Sequence, residues 1–180
     1  YLLGVQFTTP ANAQLLIQLA PLLMALGGVF VFRERVAVAQ WGGFALIATG
    51  LLLFFDEQRG GRGEGYTLGA GLVVLAAVVW AVYALLQKQL LLRLSSMQIL
   101  AAIYLLAALL LWPFAKPSTL LQLDALHAAL LGYCALNTLV AYGAFAEALA
   151  HWEASRVSAI LATTPILCVG AVAATHALWP

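Results

Sequence analysis

The chain has 180 residues, 64% hydrophobic and 8% charged, with a formal net charge of +1 and a mean hydropathy of +1.00. Soluble domains run at about 45–50% apolar and about 25% charged residues, so a soluble domain is excluded and the lipid bilayer is the expected surrounding. The formal charge says nothing about nucleic acid, and the eight basic residues are scattered between apolar runs instead of gathering on one face, so no nucleic-acid partner is expected.

Tyr1 to Phe7 reads as the tail of a span, with Thr8, Thr9 and Pro10 turning into the next stretch. Ala11 to Phe32 then holds 22 residues without a formal charge, and a helix rising about 1.5 Å per residue needs roughly 20 to cross the hydrocarbon core. Within it Gln14, Gln18 and Pro21 fall at i, i+4 and i+7, so two amides and a proline share one helical stripe. Polar groups in lipid seek a protein-facing side. Pro21 removes a donor and frees the carbonyl four residues earlier, which marks either a packing kink or a bend that lines a cavity. Arg33, Glu34 and Arg35 stop this helix, and residues 36–55 supply a further uncharged span with Gly43, Ala45, Ala48 and Gly50 as a small-residue packing surface.

Asp56 to Gly65, DEQRGGRGEG, is the strongly polar stretch of the chain and reads as a solvated linker, giving a division into 1–58, a linker over 59–65, and 66–180. The glycines lack the GK[ST] of a phosphate-binding loop. A span over 66–88 follows, with Trp80, Tyr83 and Gln87 on one face; Trp80 lies near mid-depth and either packs between helices or lines a cavity. Ser95 or Ser96 can cap the next span, 97–115, and a turn through Lys116 to Asp124 leads to the span 125–150. This last is the most polar span. Tyr133, Asn137, Ala144 and Glu147 fall within about 80° of one another on a helix and are expected to face a bundle or a wet cavity. Glu147 is either a buried carboxylate able to couple transport to protons or a residue snorkelling to the interface. Cys134 and Cys168 read as small buried hydrophobes. His127 and His176 lack the HxxxH or HExxH spacing of a metal site, so neither metal nor cofactor is expected.

The final span, 155–178, repeats the opening pattern: Pro165 stands 144 residues after Pro21, which places Gln14 on Ser158, Gln18 on Ala162 and Ala20 on Thr164. Paired interrupted helices at matching positions mark the binding site of transporters built from repeats. The short loops agree. Arg33, Arg35, Lys88, Arg93 and Arg156 fall on one side and Arg59, Arg62 and Lys116 on the other, so the first set is cytoplasmic and the two proline spans run in opposite directions. Both chain ends lie against apolar runs, and the sequence reads as a fragment without a removable signal peptide.

Three segments, ANAQLLIQLAPLLMALGGVFVFRERVAVAQWGGFALIATGLLL, WAVYALLQKQL and YGAFAEALAHWEASRVSAILATTPI, resemble EamA-type permeases of the drug/metabolite transporter superfamily. The resemblance implies an all-α polytopic bundle of two inverted five-helix repeats, here running from late helix 3 to helix 9. It implies a secondary transporter of small organic metabolites or drugs in a bacterial inner membrane. Carried over by position, its pocket would be lined by the faces holding Gln14, Gln18, Pro21, Trp80, Tyr83, Asn137, Tyr142, Ser158, Thr164 and Pro165. The expected partners are a small-molecule metabolite and the bilayer, with a homodimer allowed. An intramembrane enzyme is disfavoured because Asp56 and Asp124 fall in loops and form no catalytic pair at depth. The alternative is a structural or accessory membrane subunit, whose scattered polar residues would be packing glue.

Overall fold

The computed structural model describes residues 1–8, 10–59 and 64–167, so Thr9, the linker residues 60–63, Cys168, His176 and residues 168–178 of the expected final span lie outside the described residues. Every regular element within them is helical: α1 Leu2–Phe7, α2 Pro10–Leu16, α3 Leu19–Phe32, α4 Val38–Arg59, α5 Glu64–Leu90, α6 Ser96–Leu111, two 3₁₀ turns at Trp112–Phe114 and Pro117–Gln122, α7 Ala125–His151 and α8 Ala154–Leu161. Four stretches among them are long and apolar enough to cross a membrane: Asn12–Phe32, Tyr66–Leu90, Ser96–Phe114 and Ala125–His151. Val38–Phe54 and Ala154–Leu167 are shorter apolar helices.

The element ends follow local chemistry. α4 starts two residues later than expected because the Gln40 side chain, at the third helical position, accepts the Ala37 amide at 2.9 Å, which is half of a capping box. The linker expected over 56–65 is narrower: Asp56–Arg59 continue α4 and Glu64 opens α5. Glu, Gln and Arg are good helix formers, and glycine costs a helix about 1 kcal/mol per residue. α6 begins on the expected serine cap. Ser95 accepts from the Gln98 amide while the Gln98 side chain returns to the Ser95 amide, and Pro113 ends the helix in a 3₁₀ turn.

The chain forms two compact units, one of residues 1–86 with 153 onward and one of residues 87–152. In the first, the packed face of α5 is a row of small side chains: Ala70, Val73, Ala77, Ala81 and Ala84 are buried. Apolar burial gives little drive between helices in hydrocarbon, so close backbone approach and dispersion must supply it. Gly4 of α1 and Gly69 of α5 make that approach, since a Cβ on either would come within 2.9 Å of the other's carbonyl oxygen. Ala13 and Leu16 of α2 pack with Ala70 and Val73. Further along, a Cβ on Gly27 of α3 would collide with Leu85, so α2 and α3 run alongside α5 in the same direction. Leu22 and Ala25 of α3 meet Phe44 of α4 in a second cluster.

In the second unit α6 packs on α7, burying Ile99, Leu100, Ala146 and Leu149. Ser96 Oγ donates to Glu147 Oε2 at 2.5 Å. Lys88 Nζ donates to the Trp152 carbonyl at 2.6 Å, where a cation complements the carbonyl end of α7. At the other end Asp124 caps α7, accepting the His127 amide at 2.9 Å.

Candidate functional site

Pro21 and Pro165 both sit just past a helix break. A continuous α-helix would give the Ile17 carbonyl the amide of residue 21, which proline lacks. The chain instead tightens: the Ala20 amide bonds Ile17 at 2.9 Å and the Gln18 amide bonds Leu15 at 3.1 Å, two 3₁₀ bonds that separate α2 from α3. The second proline behaves alike, with α8 ending at Leu161, a turn at 162–163 and helix resuming at Thr164. Gln18 and Ala162, paired in the sequence register, have nearly the same backbone, φ −64° and ψ −10° against φ −64° and ψ −15°.

Among the described residues α3 and α8 make the most extensive helix contact, and they run antiparallel. Near the end of α3, a Cβ on Gly28 would lie 3.2 Å from the Cβ of Ala154, the first residue of α8. Near the start of α3, Gln18 and Pro21 share a cavity with Leu161 and Thr164. The two breaks therefore face each other. The cavity, about 160 Å³, is lined by Gln14, Ile17, Gln18, Ala20, Pro21, Trp80, Leu161 and Thr164, all within the first unit. Pro21 is the tenth of the 21 residues of its span, so the cavity lies near mid-depth. Its lining offers two amides, a hydroxyl, an indole face and alkyl groups, with no ionisable side chain among the described residues. An isolated charge would lack a counter-ion there, whereas an uncharged solute can stack on Trp80 and hydrogen-bond the amides.

Of the residues expected at the site, Gln14, Gln18, Pro21, Trp80 and Thr164 come together in this lining. Tyr83 is half-buried on α5, and Pro165 is half-buried beside Thr164; neither is among the lining residues. Ser158 is fully buried and donates to the Ser155 carbonyl at 2.9 Å, one turn short of the cavity. Asn137 and Tyr142 belong to α7 of the second unit, where both are exposed. The face of Tyr133, Asn137, Ala144 and Glu147 is likewise exposed in that unit: α7 is exposed on every side over residues 125–142, and its contact with α6 buries only Ala146 and Leu149 near its end. Cys134, expected buried, lies in that exposed stretch. Glu147 holds Ser96, and its Oε1 lies 3.5 Å from His151 Nδ1 with 58% of the side chain exposed. Among the described residues no group of three His, Cys, Asp or Glu side chains could hold a metal ion.

A residue read from the sequence as a charged stop has a larger role. Glu34 accepts the Ala154 amide at 2.7 Å and the Ser155 amide at 2.9 Å, binding the end of α3 to the start of α8. No local spacing reveals this partnership, since the residues are 120 and 121 positions apart.

The sequence profile of the EamA-like transporter family matches residues 1–56 and 67–173. Over 180 residues the chain is 38% identical to the "Uncharacterized inner membrane transporter YhbE" of Escherichia coli (strain K12), covering 98% of this chain and 56% of that protein. It is 34% identical over 168 residues to an "Uncharacterized transporter" of Haemophilus influenzae, covering 92% of this chain and 55% of that protein. The chain thus spans about half the length of the curated relatives it matches. No solved structure matches it.

Proposed function

The chain belongs to the EamA-like transporter family, and from that premise we propose that it supplies the central solute site of a secondary transporter in a bacterial inner membrane. The observation that carries this reading is the cavity between two antiparallel helices, each broken beside a proline. Broken helices give a pore-facing backbone its tight turns, and irregular backbone at membrane depth is tolerated where it is buried in protein or lines a cavity. The residues assigned to the solute are Gln14, Gln18, Trp80 and Thr164, with Pro21 and Pro165 setting the breaks. The solute is a small, uncharged and partly apolar organic molecule that presents hydrogen-bonding groups to the amides.

Supporting the inverted-repeat reading are the matched breaks, the opposed directions of α3 and α8, and the shared backbone of Gln18 and Ala162. On that reading the repeats meet near 59–65, and transport proceeds by rocking one against the other around the cavity. Glu147 is assigned to the membrane interface, where Ser96 and His151 hold it at the end of α7. The experiment is metabolite profiling: cells expressing the intact protein and cells lacking it are compared for retained and released small solutes, with a Trp80→Ala variant alongside. A solute whose distribution follows the wild-type protein and not Trp80→Ala supports transport through this cavity. Identical profiles in all three favour an accessory membrane subunit.

A further inference from the structure

The N-terminus of α8 is capped from the far end of another helix. Its own N-cap residue, Glu153, makes no capping hydrogen bond; that carboxylate instead holds Arg156, Oε2 to Nε at 2.8 Å. The Arg156 and Val157 amides return to the Glu153 carbonyl, which leaves the amides of Ala154 and Ser155 as the open donors of the first turn. Glu34 takes both, one with each carboxylate oxygen.

The backbone before Glu34 is shaped for this contact. Arg33 ends α3 in the left-handed region, at φ 54° and ψ 39°, and the amides of Arg33 and Glu34 both bond the Gly28 carbonyl, the reversal that closes many helix ends. Gly28 then supplies the space, since a Cβ there would stand 2.6 Å from Glu34 Oε2. A residue that merely stopped a helix with charge would need neither the turn nor the gap. A carboxylate on two amides at a helix N-terminus is held by charge-assisted hydrogen bonds and by the helix dipole.

The geometry points to Glu34 as a latch that closes this end of the α3–α8 pair. While both amides are engaged the ends stay together, and α8 swings away from α3 only when the carboxylate leaves them. Because α8 leads to Leu161 and Thr164, the latch also fixes the register of that wall of the cavity against Gln18 and Pro21. This goes beyond the transport reading and stands without it.

The test uses the intact protein in membranes, with Cys134, Cys168 and every other native cysteine replaced by serine and Ser155→Cys as reporter. Ser155 is fully buried beneath the latch and its hydroxyl has no hydrogen-bond partner among the described residues, so a thiol there costs little. N-ethylmaleimide should label the thiol of Ser155→Cys slowly in this parent. Glu34→Gln offers an amide nitrogen to one of the two donors, and Gly28→Ala keeps the carboxylate but fills its space. Each should speed labelling about tenfold, the change expected for losing a charged hydrogen bond, and the double variant should label no faster than the quicker single. Unchanged labelling in either variant, or a double variant whose acceleration is the product of the two, overturns the latch. Where Glu34→Gln does not accumulate, Gly28→Ala alone decides by the same criterion. Failure of both to accumulate would make these residues folding determinants and also overturns it. Labelling as expected in a protein that moves no solute would count against the transport reading alone.

Discussion

Pro21→Ala supplies the donor that the break at 17–18 lacks. At present the Ile17 carbonyl takes the Ala20 amide at 2.9 Å; alanine at 21 allows the regular bond and lets α2 run into α3. The new bond contributes about 0.5–1.5 kcal/mol net, and the freedom that the unfolded chain regains without proline takes back about 0.4–1 kcal/mol. These terms nearly cancel, so stability should change by less than about 1 kcal/mol. The geometry changes more. A 3₁₀ turn winds about 120° per residue against about 100° in an α-helix, so regularising two residues rotates α2 by about 40° relative to α3. A side-chain atom about 6 Å from the axis then moves about 4 Å, which takes Gln14 out of hydrogen-bonding reach of a solute held by Gln18 and Trp80. One lost hydrogen bond of about 1 kcal/mol is roughly a fivefold rise in apparent KM. The assay is transport kinetics of the profiled solute beside thermal unfolding of the purified protein. An unchanged KM, or a loss of stability beyond about 2 kcal/mol, would refute this account of the break.

Gly69→Ala should destabilise the protein by about 1–3 kcal/mol, because its Cβ would meet the Gly4 carbonyl at 2.9 Å and atoms of Phe7 and Thr8 at 2.7 Å. Gly71→Ala, with nothing within 4 Å of the added Cβ, should raise the melting temperature slightly, since alanine is the better helix former; equal losses at both positions would discount the α1–α5 approach. Asp124 is held below the usual carboxyl range by the His127 amide first and the His127 ring second. A depressed folded-state value means its stabilisation is complete above its ordinary value near 4 and fades as pH falls through the folded one. Hydrogen exchange at the first turn of α7 should therefore accelerate only below about pH 4 in the wild type, and Asp124→Asn should remove that acid step. Glu147→Gln should leave the pH dependence and uncoupler sensitivity of transport as in the wild type; loss of either would restore a coupling role to this carboxylate.

The spans were legible because membrane crossing imposes a length and an apolar composition that little else satisfies: α5 and α7 run within two residues of expectation. The break in the first span was legible from one residue, since proline cannot make the bond a continuous helix needs. Partners close in the sequence are legible from local spacing, as with the Ser95 cap. What local spacing could not convey was a partner far along the chain. The capping rule looks to Glu153 beside α8, yet Arg156 occupies that carboxylate and Glu34 does the capping. Ser158 was placed by its alignment with Gln14, but a hydroxyl can bond a carbonyl one turn away, and Ser158 turns to Ser155. Asp56–Arg59 looked like linker because charge and glycine adjoin there; the charged residues themselves favour helix.

The central claim is that the solute passes through the cavity of Gln18 and Trp80, and transport by matched variants tests it most directly. The profiled solute is measured in cells with equal membrane levels of wild type, Gln18→Ala, Trp80→Ala and Val79→Ala. Val79 neighbours Trp80 but is 60% exposed and outside the lining. Trp80→Ala and Gln18→Ala should each lower transport about tenfold, the equivalent of roughly 1.4 kcal/mol of lost solute binding, with Val79→Ala at the wild-type rate. Wild-type transport in both cavity variants would contradict the account.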